Sequence, residues 1–327
     1  MRDVAREAGV SLKTVSRVVN SEAGVGGDTA ARVAAAIDAL GYRRNDLARN
    51  LRHGRTTATI GLVIADVANP FFSSIAAAVE LHASARGCML LTGSSGEDPA
   101  RERQLLAAMT SRRVDGLVVV PGGDDHRYLA SEQRIGTPVV FLDRPPGGID
   151  ADCVLSDHSG GARSAVRHLL RAGHRRIGIV GHETTTATAE RRLQGYREAV
   201  IAAGADVDEA LIRLGSHDAD EAAAATTGLL SSADPPTALF TTNNRMTVGA
   251  VRALRAASRP VALVGFDDFE LADLLATPVT VVAQDPAELG RRAAQLLFAR
   301  LDGDGGPSRT VVVPTRLIPR GSGEVPA

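Results

Sequence analysis

The chain has 327 residues, of which 44% are hydrophobic and 23% charged, with a formal net charge of −1. This length exceeds one small domain, and the composition is that of a globular protein with sizeable cores. No apolar run approaches the roughly 18–20 residues of a membrane span, and the first residues lack the layout of a signal peptide. Cys88 and Cys153 lie in apolar stretches, which predicts buried free thiols. We therefore expect a cytoplasmic protein of two or three units.

The charge is unevenly distributed along the chain. Residues 1–55 contain ten Lys and Arg against six Asp and Glu, whereas the remainder has an excess of acidic residues. A basic N-terminal unit on an acidic body is what contact with nucleic acid requires, although a merely solvated surface has the same composition. The charge pattern alone leaves both interpretations open.

The start of the chain predicts three short helices. Apolar spacing places them at about Val4–Ala8, Leu12–Val19 and Thr29–Leu40. Gly9 lies in the first turn, where glycine tolerates a positive φ, and Ser11 can cap the second helix. Asp28 is the predicted N-cap of the third helix, and Gly41 its C′ residue. This pattern indicates a helix-turn-helix, whose second helix presents outward the side chains of Leu12, Lys13, Ser16, Arg17 and Asn20.

The segment "YRRNDLARNLRHGRTT" that follows is polar and arginine-rich, with isolated leucines at 47 and 51. It marks a change in composition and therefore a predicted domain boundary. Its helical part is shorter than the ~12–15 residues at which an isolated helix is even marginally stable. We expect residues 45–57 to form a hinge helix or linker that folds on DNA.

From residue 60 onward the sequence has the pattern of an α/β core. Apolar, β-branched runs such as "IGLVI", "GLVVV", "IGIVG" and "VTVVA" mostly alternate with helical patterns. This predicts parallel sheets covered on both faces, and about 270 such residues exceed one core, which predicts two lobes. Ligands of such sheets bind beyond the carboxyl ends of strands, and polar residues gather there in "ADVANPFF", "FLDRP", "TTNN", "GFDD" and "AQD". A cleft for a small molecule is therefore expected between the lobes.

The stretch "VAREAGVSLKTVSRVVN" resembles the N-terminal signature of the LacI/GalR family of bacterial transcription regulators. The similarity continues through "ARVAAAIDALGY", "LARNLRHGRTTATIGLV", "RERQLLAAMTSRRVDGLVV", "HLLRAGHRRIGIVG", "RRLQGY" and "PTRLIPRGS", and so covers essentially the whole chain. It implies an all-α helix-turn-helix headpiece (1–44), a hinge (45–57) and a periplasmic-binding-protein-like core (58–327) with parallel sheets. The first lobe is expected over about 58–154 and 286–308, and the second over about 155–285 and 309–327.

The resemblance also implies a homodimer on a pseudo-palindromic double-stranded operator, with DNA affinity set by a small-molecule effector. Nothing in the sequence indicates a cofactor or a metal. By position, Leu12, Lys13 and Arg17 match residues that read bases in the major groove. Three others fall among phosphate-holding positions: Thr14, Ser16 and Asn20. The predicted DNA-binding set is completed by the helix cap Ser11 and by three hinge residues that match minor-groove contacts, Ala48, Arg49 and Leu51.

A sugar site needs stacking faces and planar polar groups, because hydroxyls present donors and acceptors side by side. The strand ends supply both, and they resemble the ligand shell of periplasmic ribose-binding proteins and their repressor relatives at Asn69, Phe71, Phe72, Asp143, Arg144, Arg192, Asn243, Phe266, Asp267 and Gln284. Asp157 matches a cleft position of nucleobase-binding relatives. His217 departs from the pattern, because relatives have an aromatic residue there. The resemblance predicts a pentose such as ribose, or a similar monosaccharide, with a purine or nucleoside as the second candidate.

Other classes of protein fit the sequence less well. An enzyme is not expected, since "LTGSSGED" lacks a G-x-S-x-G elbow, "PGGDDH" lacks the Lys-Ser/Thr of a P-loop and "GHETTT" has no second histidine at metal spacing. A solute-binding protein shares the core but needs no basic headpiece. A repressor controlled by a protein partner remains open, as does the sign of the response to an effector.

Overall fold

The structure, a computed structural model, describes residues 1–20, 22–42, 57–183, 186–257 and 260–327. These residues form two compact units, Met1–Thr57 and Ala58–Ala327. Each unit buries apolar side chains of its own. The fold class predicted from the sequence, an all-α headpiece and an α/β core, is confirmed.

The first unit consists of three short helices: α1 (Arg2–Glu7), α2 (Leu12–Val19) and α3 (Gly27–Ala39). Gly9 adopts a φ of 61° in the turn between the first two. The Ser11 hydroxyl caps α2 by accepting a hydrogen bond from the Thr14 amide at 3.1 Å. The helices enclose a small core of Val4, Ala8, Val15, Val33 and Ala36. The turn and the cap are therefore those that the sequence predicts for a helix-turn-helix.

Two helix starts lie earlier than the sequence predicts. α1 begins at Arg2 rather than near Val4, and the N-cap of α3 is Gly26, which makes no side-chain capping bond. The prediction that Asp28 caps α3 is wrong, because this residue lies inside the first turn. An acidic side chain is favourable there as well, since it interacts with the positive end of the helix dipole. The same residue type therefore marks a cap or a first turn, and the sequence does not distinguish them.

The second unit contains two six-stranded sheets. The strands of the first are β1 (Thr59–Ile64), β2 (Met89–Ser94), β3 (Gly116–Val119), β4 (Val139–Leu142), β5 (Asp152–Ser156) and β11 (Thr310–Val313). Their spatial order is β11-β5-β4-β3-β1-β2, and all neighbouring pairs are parallel. The accompanying helices are α4 (Pro70–Ala85), α5 (Pro99–Ser111), α6 (Ala130–Arg134) and α11 (Pro286–Leu301). This sheet and its helices form the first lobe.

The second lobe repeats the same architecture. Its strands are β6 (Ile177–Val180), β7 (Ile212–Arg213), β8 (Ala238–Thr241), β9 (Ala262–Phe266), β10 (Thr280–Ala283) and β12 (Arg316–Ile318). Their order is β12-β10-β9-β8-β6-β7, and only the pair of β10 with β12 is antiparallel. The helices are α7 (His158–Arg171), α8 (Ala187–Ala202), α9 (Ala219–Leu230) and α10 (Asn244–Leu254).

The last crossing of the chain between the lobes lies later than the sequence predicts. We expected it near residue 308, which would place residues 310–313 in the second lobe. Instead β11 pairs in parallel with β5, and only β12 joins the second sheet. The predicted lobe boundary at residue 309 is therefore wrong, and the crossing follows Val313. Similarly, β5 extends the first lobe to Ser156 rather than 154.

Both faces of the inner strands are buried, which explains their unbroken apolar sequences. In β1, Leu62 and Ile64 belong to one apolar layer and Val63 to the opposite layer. Cys153 is buried as predicted, whereas Cys88 is only half-buried, and both thiols are free. Within the described ranges, no cluster of three or more His, Cys, Asp or Glu side chains is arranged to hold a metal ion. No helix among them is long and apolar enough to cross a membrane.

Gly195 offers a test of the packing of α8 against α7. A Cβ at this position would lie 2.3 Å from the Ser159 carbonyl oxygen, so Gly195→Ala is expected to destabilise the core by about 1–3 kcal/mol. The matched control is Gly228→Ala on α9, where a Cβ meets no described atom within 4 Å. Alanine should stabilise that helix by about 0.5–1 kcal/mol. Thermal unfolding of both variants measures the two changes in stability. Equal shifts of Tm would contradict the close approach of the helices at Gly195.

Candidate functional site

A cleft of about 660 Å³ lies where the carboxyl ends of the two sheets meet. Its walls come from the segments that follow β1, β2, β3 and β4 of the first lobe and β6, β7, β8, β9 and β10 of the second. Parallel strands place their carboxyl ends at one edge of a sheet, so polar residues distant in sequence converge there. The cleft is therefore the position that the topology favours for a ligand.

Two aspartates enter this cleft from equivalent positions in the two lobes. Asp143 follows β4 and Asp267 follows β9, with φ of 68° and 69° respectively. The Asp143 amide donates to the Val154 carbonyl at 2.8 Å, and the Asp267 amide donates to the Val282 carbonyl at 2.9 Å. A non-glycine residue in this left-handed conformation is strained, and such strain persists mainly at functional sites. The backbone therefore fixes both carboxylates at the cleft.

The two aspartates have opposite pKa shifts. Burial raises the pKa of Asp267 above its ordinary value, because the Arg192 charge nearby does not compensate for desolvation. Burial also acts to raise the pKa of Asp143, but His158, whose Nε2 lies 3.5 Å from Oδ1, and the charges of Arg144 and Arg192 outweigh it and lower this pKa. The ionised form is therefore stabilised at Asp143 and destabilised at Asp267.

Arg192, on α8, is buried against an aromatic ring. Its guanidinium carbon lies 3.9 Å from the centroid of Phe266. Nη1 donates to the Thr242 carbonyl at 2.5 Å and lies 3.8 Å from Oδ2 of Asp267. Nη2 lies 3.2 Å from Nδ1 of His158. These contacts fix the guanidinium plane, while Nε has no hydrogen-bond partner among the described residues.

Arg144 is held in the same way in the first lobe. Its Nη1 donates to the Pro121 carbonyl at 2.8 Å, and its Nη2 donates to Oε1 of Glu97 at 2.5 Å. Glu97 is another acidic cleft residue with a left-handed φ, 63°. Its second oxygen lies 3.4 Å from Nε2 of His182, which belongs to the other lobe. Glu97 therefore links the first-lobe arginine to the second lobe.

Two further side-chain contacts join the lobes at the edge of the cleft. Asn244 donates from Nδ2 to Oδ1 of Asn69 at 2.9 Å. Arg245 forms an ion pair with Asp66. Both second-lobe residues lie in the first turn of α10, and both first-lobe residues follow β1. Direct side-chain contacts therefore stabilise the closed arrangement of the two lobes. A ligand bound between the lobes would add further contacts.

The structure brings ten of the twelve predicted ligand residues to the cleft wall: Asn69, Phe71, Phe72, Asp143, Arg144, Arg192, His217, Asn243, Asp267 and Gln284. Phe266 is fully buried beneath Arg192 and supports that side chain from behind. Asp157 caps α7, where its Oδ1 accepts a hydrogen bond from the Gly160 amide at 2.8 Å. The structure does not place Phe266 or Asp157 among the lining residues.

Sequence reasoning missed several lining residues: Asp66, Glu97, Arg101, His182, Glu183, Thr188, Thr242 and Arg245. Each is a single polar residue in or near a connection that follows a strand, where polar residues are ordinary. Glu97 is distinguished by its left-handed backbone conformation, which cannot be recognised in the sequence. His217, predicted as a departure, packs edge-to-face against His182 with ring centroids 5.1 Å apart. The outer cleft therefore has two imidazoles rather than a flat hydrocarbon ring.

Several buried polar atoms of the cleft have no hydrogen-bond partner in the described part of the chain: Asp143 Oδ1, Arg144 Nε, His182 Nδ1, Arg192 Nε and Gln284 Oε1. Native proteins leave few buried polar groups unpaired, so such atoms need an explanation. The carboxylate and amide oxygens accept hydrogen bonds, whereas the arginine nitrogens donate them. The cleft therefore combines acceptors and donors for a ligand that has both.

The predicted recognition residues of the first unit lie on α2. Leu12, Lys13 and Arg17 are exposed, and the apolar Leu12 has 48% of its surface accessible. Ser16 and Asn20 are half-buried, and Asn20 donates from Nδ2 to the Ser16 hydroxyl at 3.4 Å. The exposed side chains are suited to contact a groove of DNA. Three predicted hinge contacts lie outside the described residues: Ala48, Arg49 and Leu51.

Comparison with known proteins finds matches to both units. Residues 1–45 match the bacterial regulatory proteins of the lacI family, and residues 166–323 match the periplasmic binding protein-like domain. The ribose operon repressor of Haemophilus influenzae is 32% identical over 98% of this chain and 98% of its own. The chain belongs to the LacI family.

Two solved structures are similar over the same length. The lac repressor dimer bound to operator and the anti-inducer ONPF has a TM-score of 0.83 at 28% identity, with 98% of each chain covered. The complex of the transcriptional regulator CelR with cellobiose has a TM-score of 0.73 at 34% identity, with the same coverage. This LacI-family protein is thus a DNA-binding transcription regulator with a periplasmic-binding-protein-like core.

Proposed function

We propose that this LacI-family protein is a repressor, and not an enzyme or a solute-binding protein, that binds a pseudo-palindromic operator as a homodimer. A monosaccharide in the cleft, foremost a pentose such as ribose, controls its DNA affinity. The observation that carries this proposal is the set of unpaired buried donors and acceptors in the cleft. Sugar hydroxyls donate and accept at once, so a sugar satisfies both kinds of atom.

The size and polarity of the cleft agree with such a ligand. A volume of about 660 Å³ lies within the ~300–1,000 Å³ typical of small-molecule sites. Phe71 and Phe72, in edge-to-face contact at 5.0 Å, provide an apolar wall for the carbon face of a ring. The similarity to a ribose operon repressor favours a pentose, whereas the similarity to CelR bound to cellobiose favours a larger saccharide.

The proposed control uses the two-lobed construction of the core. A sugar held by Asp143 of the first lobe and by Arg192 and Asp267 of the second changes the relative angle of the lobes. In a dimer this alters the spacing of the two hinge segments, residues 45–57, and hence operator affinity. A coupling of ~1–3 kcal/mol between the sites is sufficient, since it changes affinity about 5–150-fold.

Exposed apolar residues on the first lobe support the homodimer. Met89 and Leu91 lie on β2, the edge strand of the first sheet, and are 68% and 36% exposed. Leu81 on the neighbouring α4 is 70% exposed. An open apolar sheet edge invites pairing, and a symmetric dimer buries the same patch on both copies. Sedimentation of the wild type and of Met89→Lys tests this arrangement, because a lysine in the interface should weaken the dimer. If the variant is as fully dimeric as the wild type, Met89 lies outside the interface.

The deciding experiment is a thermal-shift titration of the full chain against D-ribose, other pentoses, hexoses, cellobiose, nucleosides and purines. A ligand that binds only the folded state raises stability by RT ln(1 + [L]/Kd). Selective stabilisation by a pentose supports the proposal. Stabilisation by cellobiose or a nucleoside alone would mean that this compound, and not a pentose, is the effector. A protein partner becomes the leading candidate if no compound shifts the transition.

Operator binding should depend on the exposed face of α2. Arg17→Ala is expected to lower affinity for duplexes selected by the full chain by about 1–3 kcal/mol, because arginine can contact a guanine edge with two hydrogen bonds. Arg6→Ala on α1 is the matched control, since it removes one exposed positive charge from the same unit. Fluorescence anisotropy at fixed salt measures both variants. Equal losses would indicate a charge effect without base reading.

A further inference from the structure

His158 lies between two of the proposed effector residues and is not itself part of the cleft wall. It begins α7 in the second lobe, and its side chain is 1% exposed. One ring nitrogen, Nδ1, is 3.2 Å from Nη2 of Arg192 in the same lobe. The other, Nε2, is 3.3 Å from the carbonyl oxygen and 3.5 Å from Oδ1 of Asp143 in the first lobe. The imidazole thus bridges the lobes beneath the cleft.

The chemistry of these partners determines the protonation of the ring. A guanidinium has donors and no acceptor, so the Nδ1 atom facing Arg192 must accept and cannot carry a proton. The opposite nitrogen lies near two oxygen atoms of Asp143, which accept. These contacts fit the tautomer of His158 that has its proton on Nε2 and donates it across the lobe boundary.

We propose that His158, in this tautomer, is the positioning residue that sets effector affinity by holding Arg192 and Asp143 in one arrangement. This inference rests on the proposed function of the cleft. Its physical basis is that the imidazole is an acceptor at one edge and a donor at the other. Each of its partners has a buried polar atom without a hydrogen-bond partner among the described residues, Nε of Arg192 and Oδ1 of Asp143. The orientation of these two atoms therefore depends on the ring between them.

The His158 ring is packed inside the core, next to Phe266. Phe266 lies on one side, with its centroid 6.0 Å from that of His158, and also supports the Arg192 guanidinium. Leucine would fill a comparable volume at this position but would remove the contacts to Nη2 of Arg192 and to the carbonyl oxygen of Asp143. Glutamine has an oxygen that accepts and a nitrogen that donates, so it can restore both bonds.

The first measurement is the tautomer in the effector-free protein. Long-range ¹H–¹⁵N correlation spectra of ¹⁵N-histidine-labelled full chain, with His158→Gln for assignment, distinguish the protonated from the unprotonated ring nitrogen. We expect a protonated Nε2 and an unprotonated Nδ1. A proton on Nδ1, or a ring protonated on both nitrogens at neutral pH, would overturn the inference, and this readout needs no effector.

The second measurement is effector affinity by calorimetry, with the sugar that stabilises the wild type. We expect His158→Leu to weaken binding about 10–100-fold and His158→Gln to remain within about fivefold of the wild type. His168→Leu is the control, because this residue of the same helix pairs with Glu324. Wild-type affinity in a folded His158→Leu variant, or an equal loss in the glutamine variant, would overturn the positioning role. A wild type that binds no sugar would instead overturn the proposed function.

Discussion

Replacing Arg192 with leucine is expected to weaken effector binding about a hundredfold, or ~3 kcal/mol. The guanidinium is buried and fixed by Phe266 and by the Thr242 carbonyl, so it is already oriented when the ligand arrives. Its Nε has no hydrogen-bond partner in the described part of the chain, and a charged donor in a buried site contributes more than a neutral one. Its removal also leaves Asp267 without its positive neighbour.

The matched control is Arg197→Leu, which removes an arginine from the exposed side of the same helix, where it pairs with Glu209. That surface pair should contribute at most ~1 kcal/mol to stability and nothing to ligand binding. Calorimetric titration of the two variants with the stabilising sugar gives the comparison. If both bind alike, Arg192 is not an effector residue, and its burial serves the fold alone.

The second large effect is expected at Asp267, where asparagine should lower effector affinity about a hundredfold and yet stabilise the free protein. The pKa of this carboxyl is raised by burial, so its contribution to stability is fully present below the unfolded pKa. That contribution is lost as pH rises through the folded-state pKa. Asparagine avoids the loss at neutral pH and tolerates the left-handed backbone. A gain of about 1 kcal/mol, or ~2–4 °C in Tm, is expected.

Asp143→Asn is the matched variant and should have the opposite effect on stability. The close approach of His158 to Oδ1, together with the charges of Arg144 and Arg192, outweighs desolvation and lowers the Asp143 pKa. The ionised form therefore contributes stability above the unfolded pKa, and this is lost as pH falls through the folded-state pKa. Thermal unfolding of both variants between pH 4 and 8, without ligand, tests the two signs. Shifts of Tm in the same direction at neutral pH would refute the assignment.

The architecture could be predicted because it follows from local sequence patterns of turns, helix caps and apolar strands. Gly9 and Ser11 have turn and cap chemistry that few other residue types supply, and the unbroken apolar strands are characteristic of sheets buried on both faces. The sequence could not predict which of the two sheets contains β11. Its short sequence, "TVVV", fits either sheet, and only its pairing with Cys153–Ser156 decides between them.

The site was predicted to the extent that it follows from strand ends. Asp143, Asp267 and Gln284 come directly after apolar runs, so topology alone brings them together. Glu97 and His158 could not be found in this way. Glu97 lies in the cleft wall with a left-handed backbone and contacts His182, and none of these features can be recognised in the sequence. His158 follows a helix cap and gains its partners only through tertiary packing.

The left-handed backbone at Asp143 and Asp267 also limits how effector preference can evolve. Glycine, asparagine and aspartate adopt that conformation at the lowest cost, so substitution there most readily removes the charge or the whole side chain. A change in ligand size must therefore arise on the outer wall, around His182 and His217, whose backbones carry no such restriction. Descendants of this chain would then keep the inner pair and diversify the imidazole end of the cleft.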